Sequence, residues 1–224
     1  MTVAEVISSR EITEVLHFTT HKGLVGCLAK RFLLSRPLLQ QEDYLAYVLH
    51  LNSETRPEES AYFDKSEDWV SFVNLSISEI NRRFLMVSKK WHTDQDIWWA
   101  ILSFDPIIMT HEDTRFTTTN NSYEDCIRSV GCEGLKTLFA PSIHRKRKGG
   151  HNPWIANRAS RPDNLPTCEQ AEVLYPNKID LKYLMKIYVE NDENYDQAKG
   201  WANEFGYDEV IVEINPGKFM GNPN

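Results

Sequence analysis

The segment Val73-Asn74-Leu75-Ser76-Ile77-Ser78 alternates apolar and polar residues one for one. A period of two marks a half-buried β-strand. It puts Asn74, Ser76 and Ser78 on one face and Val73, Leu75 and Ile77 on the other. The plainest role for such a polar face is contact with water at a sheet edge. Upstream, Glu14–Thr19 (EVLHFT) reads as a short strand, followed by a helix over His21–Lys30 with Leu24, Cys27 and Leu28 on one side. Residues 41–50 repeat Tyr44, Tyr47 and Val48 at helical spacing, and residues 51–67 form a long polar loop. Downstream, Ile80–Lys90 reads as a helix that carries Arg82, Arg83 and Lys89 on its surface. Trp98–Phe104 is a buried strand by composition, and residues 114–119 (TRFTTT) suit another. Residues 141–167 read as irregular; Gln170–Leu174, Met185–Val189 and Glu209–Ile214 read as extended, with a helix over Asp192–Phe205. This order predicts a single α/β or α+β domain over residues 1–224, with mixed sheets.

A chain of 224 residues buries a core without staples. Its 41% apolar and 25% charged residues exclude wholesale disorder. The longest apolar run, Ile97–Leu102, is too short to span a bilayer, and the first fifteen residues lack the pattern of a secretory signal. A cytoplasmic protein with no membrane partner is expected. The cysteines at 27, 126, 132 and 168 form no CxxC pair, so neither zinc ribbons nor a disulfide framework is expected. His17 and His21 straddle a strand–helix change with no third ligand at a fixed spacing, so no metal site is expected. There is no GxGxxG or GxxxxGK[ST] run, which removes support for a Rossmann site or a P-loop.

Charge is uneven. Residues 142–161 hold Arg145, Lys146, Arg147, Lys148, Arg158 and Arg161 and no acid, leaving −13 on the rest of a chain whose net charge is −7. Such an island is either a solvated loop or a phosphate-binding strip. Trp154 lies among these bases, which suits a groove for a single strand where a base stacks on the ring.

Two further residues stand out. His17 sits among Val15, Leu16 and Phe18, where a histidine is either a satisfied core residue or a ligand-binding one. Glu172 lies between Ala171 and Val173, a costly place for a carboxylate unless it is paired or functional. Gln170, two residues earlier, is expected on the same strand face.

Taken in order, His17-Phe18-Thr19, the Asn74–Ser78 strand and Thr167-Cys168-Glu169-Gln170-Ala171-Glu172-Val173-Leu174 resemble the layout of ADP-ribosyltransferases. The first resembles the HxT opening, and the last the QAExL glutamate motif, of the DarT family of nucleic-acid ADP-ribosyltransferase toxins. The resemblance covers most of residues 14–190. It implies an ADP-ribosyltransferase-like fold with two small sheets forming an NAD cleft. It also implies transfer of ADP-ribose from NAD to a base of single-stranded DNA by a toxin or phage-defence effector. Glu172 would stabilise positive charge on the ribose through the 2′-hydroxyl, and Arg56, in the 51–67 loop, would be the catalytic arginine. His17 would donate to a ribose hydroxyl, with Phe18, Thr19, Asn74, Ser76 and Ser78 lining the NAD site. Gln170, Arg145, Lys146, Arg147, Lys148 and Trp154 would meet the acceptor. Ser76 stands where many members carry a tyrosine, and the Asn-Leu-Ser-Ile-Ser strand leans toward the guanosine-modifying branch over the thymidine one. The implied partner is an antitoxin, of the kind that hydrolyses ADP-ribose from the base. Competing readings are an RNA-base transferase, an NAD glycohydrolase, a protein-modifying transferase and a non-enzymatic nucleic-acid-binding module; a retained buried Glu172 speaks against the last.

Overall fold

The computed structural model describes residues 1–40, 69–92, 96–147, 153–159 and 161–224. The expected helix at 41–50, the loop at 51–67 with Arg56, and Lys148 lie outside the described residues. The first elements are α1 (Val3–Ser9), β1 (Val15–Thr20), α2 (His21–Lys30), β2 (Phe32–Leu34) and α3 (Arg36–Gln40). Then come β3 (Phe72–Ile77), α4 (Arg82–Trp91), β4 (Trp99–Phe104), β5 (Arg115–Thr117), β6 (Arg128–Val130) and α5 (Gly131–Thr137). The last are β7 (Ser142–Arg145), β8 (Trp154–Asn157), β9 (Glu172–Pro176), β10 (Lys178–Asp180), β11 (Leu184–Val189), α6 (Asp192–Glu204) and β12 (Ile211–Ile214).

Strand β4 is buried at every position, as its near-continuous apolar sequence requires. It lies between β1 and β11 in a sheet of order β12-β11-β4-β1-β3-β9-β5-β6, in which β11–β12 is a parallel pair and the other pairs are antiparallel. The two sheets expected from the resemblance are the two halves of this one order. They meet only where Val15 faces Ile77 and Leu16 faces Ser76. Beyond Leu16, β1 stays with β4 while β3 follows β9, so the sheet splits. The main core packs Val15, Leu24, Leu75, Leu102, Phe104, Phe116 and Val173, and a second core holds Leu16, Ile80, Leu85, Trp99 and Ile101.

Several local choices fix the edges of these elements. Thr20 ends β1 and caps α2, accepting from the Gly23 amide at 3.3 Å, so the strand turns into the helix with no loop between. The buried Ser103 of β4 donates to Glu14 Oε2 at 2.6 Å; Tyr188 donates to the same carboxylate at 2.8 Å, and Lys218 pairs with it. A buried polar group in a central strand is thereby satisfied. Two features go beyond the sequence reading. Thr2 and Glu5 form a capping box that starts α1. The stretch read as irregular contains the β7–β8 hairpin, with Ser142 opposite Asn157 and Arg145 opposite Trp154.

Gly23 is required by close approach, since a Cβ there would stand 2.1 Å from Thr19 Oγ1. Gly23→Ala is therefore expected to lower the melting temperature, although alanine gains about 1 kcal/mol over glycine inside a helix. Adding Thr19→Ala should recover much of that loss. A double variant no more stable than Gly23→Ala, measured by thermal unfolding, contradicts this packing.

Candidate functional site

Among the described residues, Asn74 bridges the split between β1 and β3. Its backbone carbonyl lies 2.9 Å from His17 Nδ1. Its side-chain Nδ2 donates to Glu172 Oε1 at 3.3 Å. A carbonyl only accepts, so Nδ1 of His17 carries the proton, and in the neutral ring Nε2 presents a lone pair. Burial lowers the His17 pKa, opposed by the Asn74 bond, which favours that neutral ring. In this tautomer the neutral His17 ring offers an acceptor at Nε2, and it would donate there only when protonated.

Glu172 opens β9 and is buried. Antiparallel registry places it beside Thr117 of β5, whose hydroxyl donates to the Glu172 carbonyl at 3.3 Å. The second carboxylate oxygen accepts from the backbone N–H of Asn121 at 2.9 Å. One donor from β3 and one from the connection after β5 thus fix the orientation of the carboxylate. The sequence reading missed Asn121. A main-chain donor leaves no mark in residue type, although the polar run Thr117–Ser122 between two strands was the available signal.

The edge of β1 that faces the split has its own chemistry. The Glu14 carbonyl accepts from Ser78 N–H on the β3 side, whereas His21 N–H donates to the Trp98 carbonyl on the β4 side. Backbone groups alternate along a strand, so Leu16 and Phe18 turn N–H and C=O toward β3. At Phe18, β3 has already diverged. A donor and an acceptor side by side match a primary carboxamide. His17 and Thr19, by the same alternation, turn their backbone groups to β4, and Thr19 Oγ1 lies against the first turn of α2.

The structure brings His17, Asn74 and Glu172 together, with Ser76 on the same face of β3 as Asn74. Ser78 is not on that face. β3 ends at Ile77, and Ser78 adopts φ 60° with its hydroxyl buried and unbonded. Gln170 also departs from expectation. The strand begins at Glu172, so the alternation does not reach back to Gln170, which is buried in a turn with its amide donating to Glu169 at 3.4 Å.

The basic island is divided. Arg145 is 2% exposed and pairs with the buried Glu169 at 2.9 Å, so it belongs to the interior and not to a solvent-facing strip. Glu169 also receives Arg83 at 3.0 Å. Arg158 donates to the Leu165 carbonyl, and Arg161 pairs with the buried Glu79. Arg161 through Glu79, and Arg145 and Arg83 through Glu169, anchor the chain that leads into β9, because buried carboxylates demand partners. Lys146 pairs with Glu124 at 2.6 Å, and Arg147 is exposed. Trp154 packs edge-on against Tyr123, with the guanidinium groups of Arg145 and Arg147 5.3 and 5.8 Å from its ring centre.

Burial pushes the Cys126 thiol up to about 11 and the Cys27 thiol up to about 12, which leaves both inert as nucleophiles at neutral pH. Among the described residues, no three His, Cys, Asp or Glu side chains cluster to hold a metal ion, and no helix is long and apolar enough to cross a membrane.

The model of the DarT family, described as ssDNA thymidine ADP-ribosyltransferase, matches residues 16–220, and the chain belongs to that family. Among solved structures it is similar to Thermosipho africanus DarTG in complex with ADP-ribose, with a TM-score of 0.61 and 15% identity. That match covers 95% of this chain and 52% of the other, so the chain spans about half the length of DarTG. It is similar to Thermus sp. 2.9 DarT in complex with carba-NAD+, with a TM-score of 0.58, 14% identity, and coverage of 92% and 97%. A structure of the same Thermus protein in complex with ADP-ribosylated ssDNA gives a TM-score of 0.58 at 12% identity, with coverage of 92% and 96%. At such identities these structures show a shared fold. No curated protein matches the chain.

The lowered His17 pKa predicts a pH dependence. The neutral ring contributes stability that is present above the usual imidazole value of 6.5 and is lost as pH falls through the lowered folded value. The stability difference between the parent and His17→Gln should therefore shift against the parent as pH is lowered below 6.5. Urea unfolding at neutral and mildly acidic pH checks this; a pH-independent difference contradicts it.

Proposed function

We propose that this chain transfers ADP-ribose from NAD to a base of single-stranded DNA, residues 1–224 acting as one catalytic unit in the cytoplasm. The observation that carries the proposal is the two-sided hold of Asn74 on His17 and Glu172 across the split sheet. It occurs in a chain that the DarT family model covers over residues 16–220. The donor and acceptor chemistry of the split fits NAD. Phe18 offers an N–H and a C=O for the nicotinamide carboxamide, and His17 Nε2 accepts from a ribose hydroxyl. Thr19 and Ser76 lie within the same strands, and we assign them to ribose or carboxamide contacts.

Bound NAD supplies a glycosidic bond whose cleavage puts positive charge on the ribose and releases neutral nicotinamide. Glu172 accepts from the ribose 2′-hydroxyl and faces that growing charge, so it stabilises the transition state more than the ground state. Donors from Asn74 and Asn121 hold it in place before the substrate arrives, which avoids reorganisation during reaction. The same carboxylate can take the proton lost by the attacking base, a role worth about 10²–10⁴-fold in rate. Arg56 is proposed as the second catalytic residue.

Single-stranded acceptor follows from access, because a paired base cannot reach the buried Glu172 carboxylate without extrusion. Arg147 and Lys148 are the members of the basic island proposed to meet its phosphates, with Trp154 beside Arg147 proposed to stack on a base. The guanosine preference drawn from the Asn74–Ser78 stretch is proposed against the thymidine named in the family description. The proposed setting is a toxin opposed by an antitoxin.

Labelled NAD with homopolymeric and mixed oligonucleotides, single- and double-stranded, in DNA and RNA, tests the proposal. Transfer to single-stranded DNA is expected, with guanosine-containing strands preferred over thymidine-only ones. Glu172→Gln should abolish transfer while much of the NAD affinity and the fold remain, since its value lies mostly in the transition state. Near-parental transfer by Glu172→Gln contradicts the mechanism. NAD consumption with no labelled strand would return the protein to a glycohydrolase.

A further inference from the structure

On the reading that Glu172 is the catalytic carboxylate, we propose that Arg128 is a positioning residue for it, acting through the peptide of Asn121. Arg128 faces Thr117 in the β5–β6 pair, and Thr117 faces Glu172 in the β5–β9 pair. Three adjacent strands therefore carry Arg128 to the neighbourhood of Glu172. Its guanidinium spends its bonds elsewhere. Nε donates to Asn121 Oδ1 at 2.7 Å, Nη2 donates to the Asn121 carbonyl, and Nη1 donates to the Cys126 carbonyl at 3.3 Å.

The guanidinium also lies over the ring of the buried Trp69, with its central carbon 5.0 Å from the ring centre. Bonds from all three guanidinium nitrogens, two of them to Asn121, exploit the rigid planar fork of arginine. A lysine ammonium keeps the charge and loses the fork.

The consequence falls on Asn121, which is buried. One guanidinium holds both of its oxygens, and this leaves its N–H aimed at Glu172 Oε2 at 2.9 Å. Asn121 belongs to the 118–127 connection, whose base is closed by Thr118 N–H on the Ile127 carbonyl and by Ile127 N–H on Thr118 Oγ1. Arg128, just past that closure, reaches back seven residues and fixes one peptide inside the loop. Loop backbone tolerates many orientations, whereas a catalytic carboxylate needs one. Arg128 supplies the missing constraint and so pre-sets the Glu172 carboxylate.

The test compares the parent with Arg128→Ala and Arg128→Lys by amide hydrogen exchange and by NAD-dependent kinetics. In Arg128→Ala, exchange at the Asn121 amide should quicken by about tenfold or more while the β4 amides stay protected. The turnover rate should fall on the order of a hundredfold, with KM for NAD within about threefold of the parent, as expected when a reacting group is misplaced and binding is not. Added guanidinium should raise turnover in Arg128→Ala and not in Glu172→Gln. If Arg128→Ala does not fold, Arg128→Lys carries the same expectations, because it removes the fork alone.

Asn121 exchange equal to the parent's in a folded variant overturns the proposal. So does unchanged turnover, or a loss confined to KM. An inactive parent would count against the proposed transferase activity, and the exchange result would still decide whether Arg128 fixes the Asn121 peptide.

Discussion

The site depends on a sheet that stops being continuous. β1 and β3 pair through Val15 and Leu16 and then part, one staying with β4 and the other with β9. Past that point their backbone edges no longer satisfy one another. Asn74 spans the gap with a carbonyl toward His17 and an amide toward Glu172. A sheet paired along its full length would have consumed these groups in ladder bonds. The split exposes polar edge chemistry at the centre of the fold, where the flanking cores hold it rigid.

That rigidity has an electrostatic cost, which the interior meets with paired charges. Glu14, Glu79 and Glu169 are all buried, and each has a cationic partner: Lys218, Arg161 and Arg145 respectively. Removing one partner from such a pair typically costs about 3–5 kcal/mol, because the other charge stays buried. Glu169 lies three residues before Glu172, and Arg145 and Arg83 fix the turn from which β9 starts. Part of the basic island thus serves the site indirectly, by anchoring the entry to its carboxylate strand.

Legibility in the sequence followed periodicity. The strand over Val73–Ile77 and the helix over His21–Lys30 were readable because side chains alternate between core and solvent at fixed intervals. The continuous run in β4 was readable because both faces are buried. His17 and Glu172 stood out as polar residues in apolar strands, and the motif order joined them. The limits are equally physical. Ser78 continues the alternation in sequence, yet the chain turns left-handed there. Gln170 obeys the spacing but lies before the strand starts. The charge of Arg145 says nothing about burial, because its partner Glu169 is 24 residues away. The amide of Asn121 is invisible to any reading of side-chain types.

The central claim is that NAD is held where β1 and β3 part, between His17 and Glu172. The most direct measurement is a crystal structure of Glu172→Gln with NAD bound. The account predicts the nicotinamide carboxamide on the Phe18 backbone edge and a ribose hydroxyl on His17 Nε2, with residue 172 facing the same sugar. Well-ordered NAD bound elsewhere, with the β1–β3 split untouched, would contradict it.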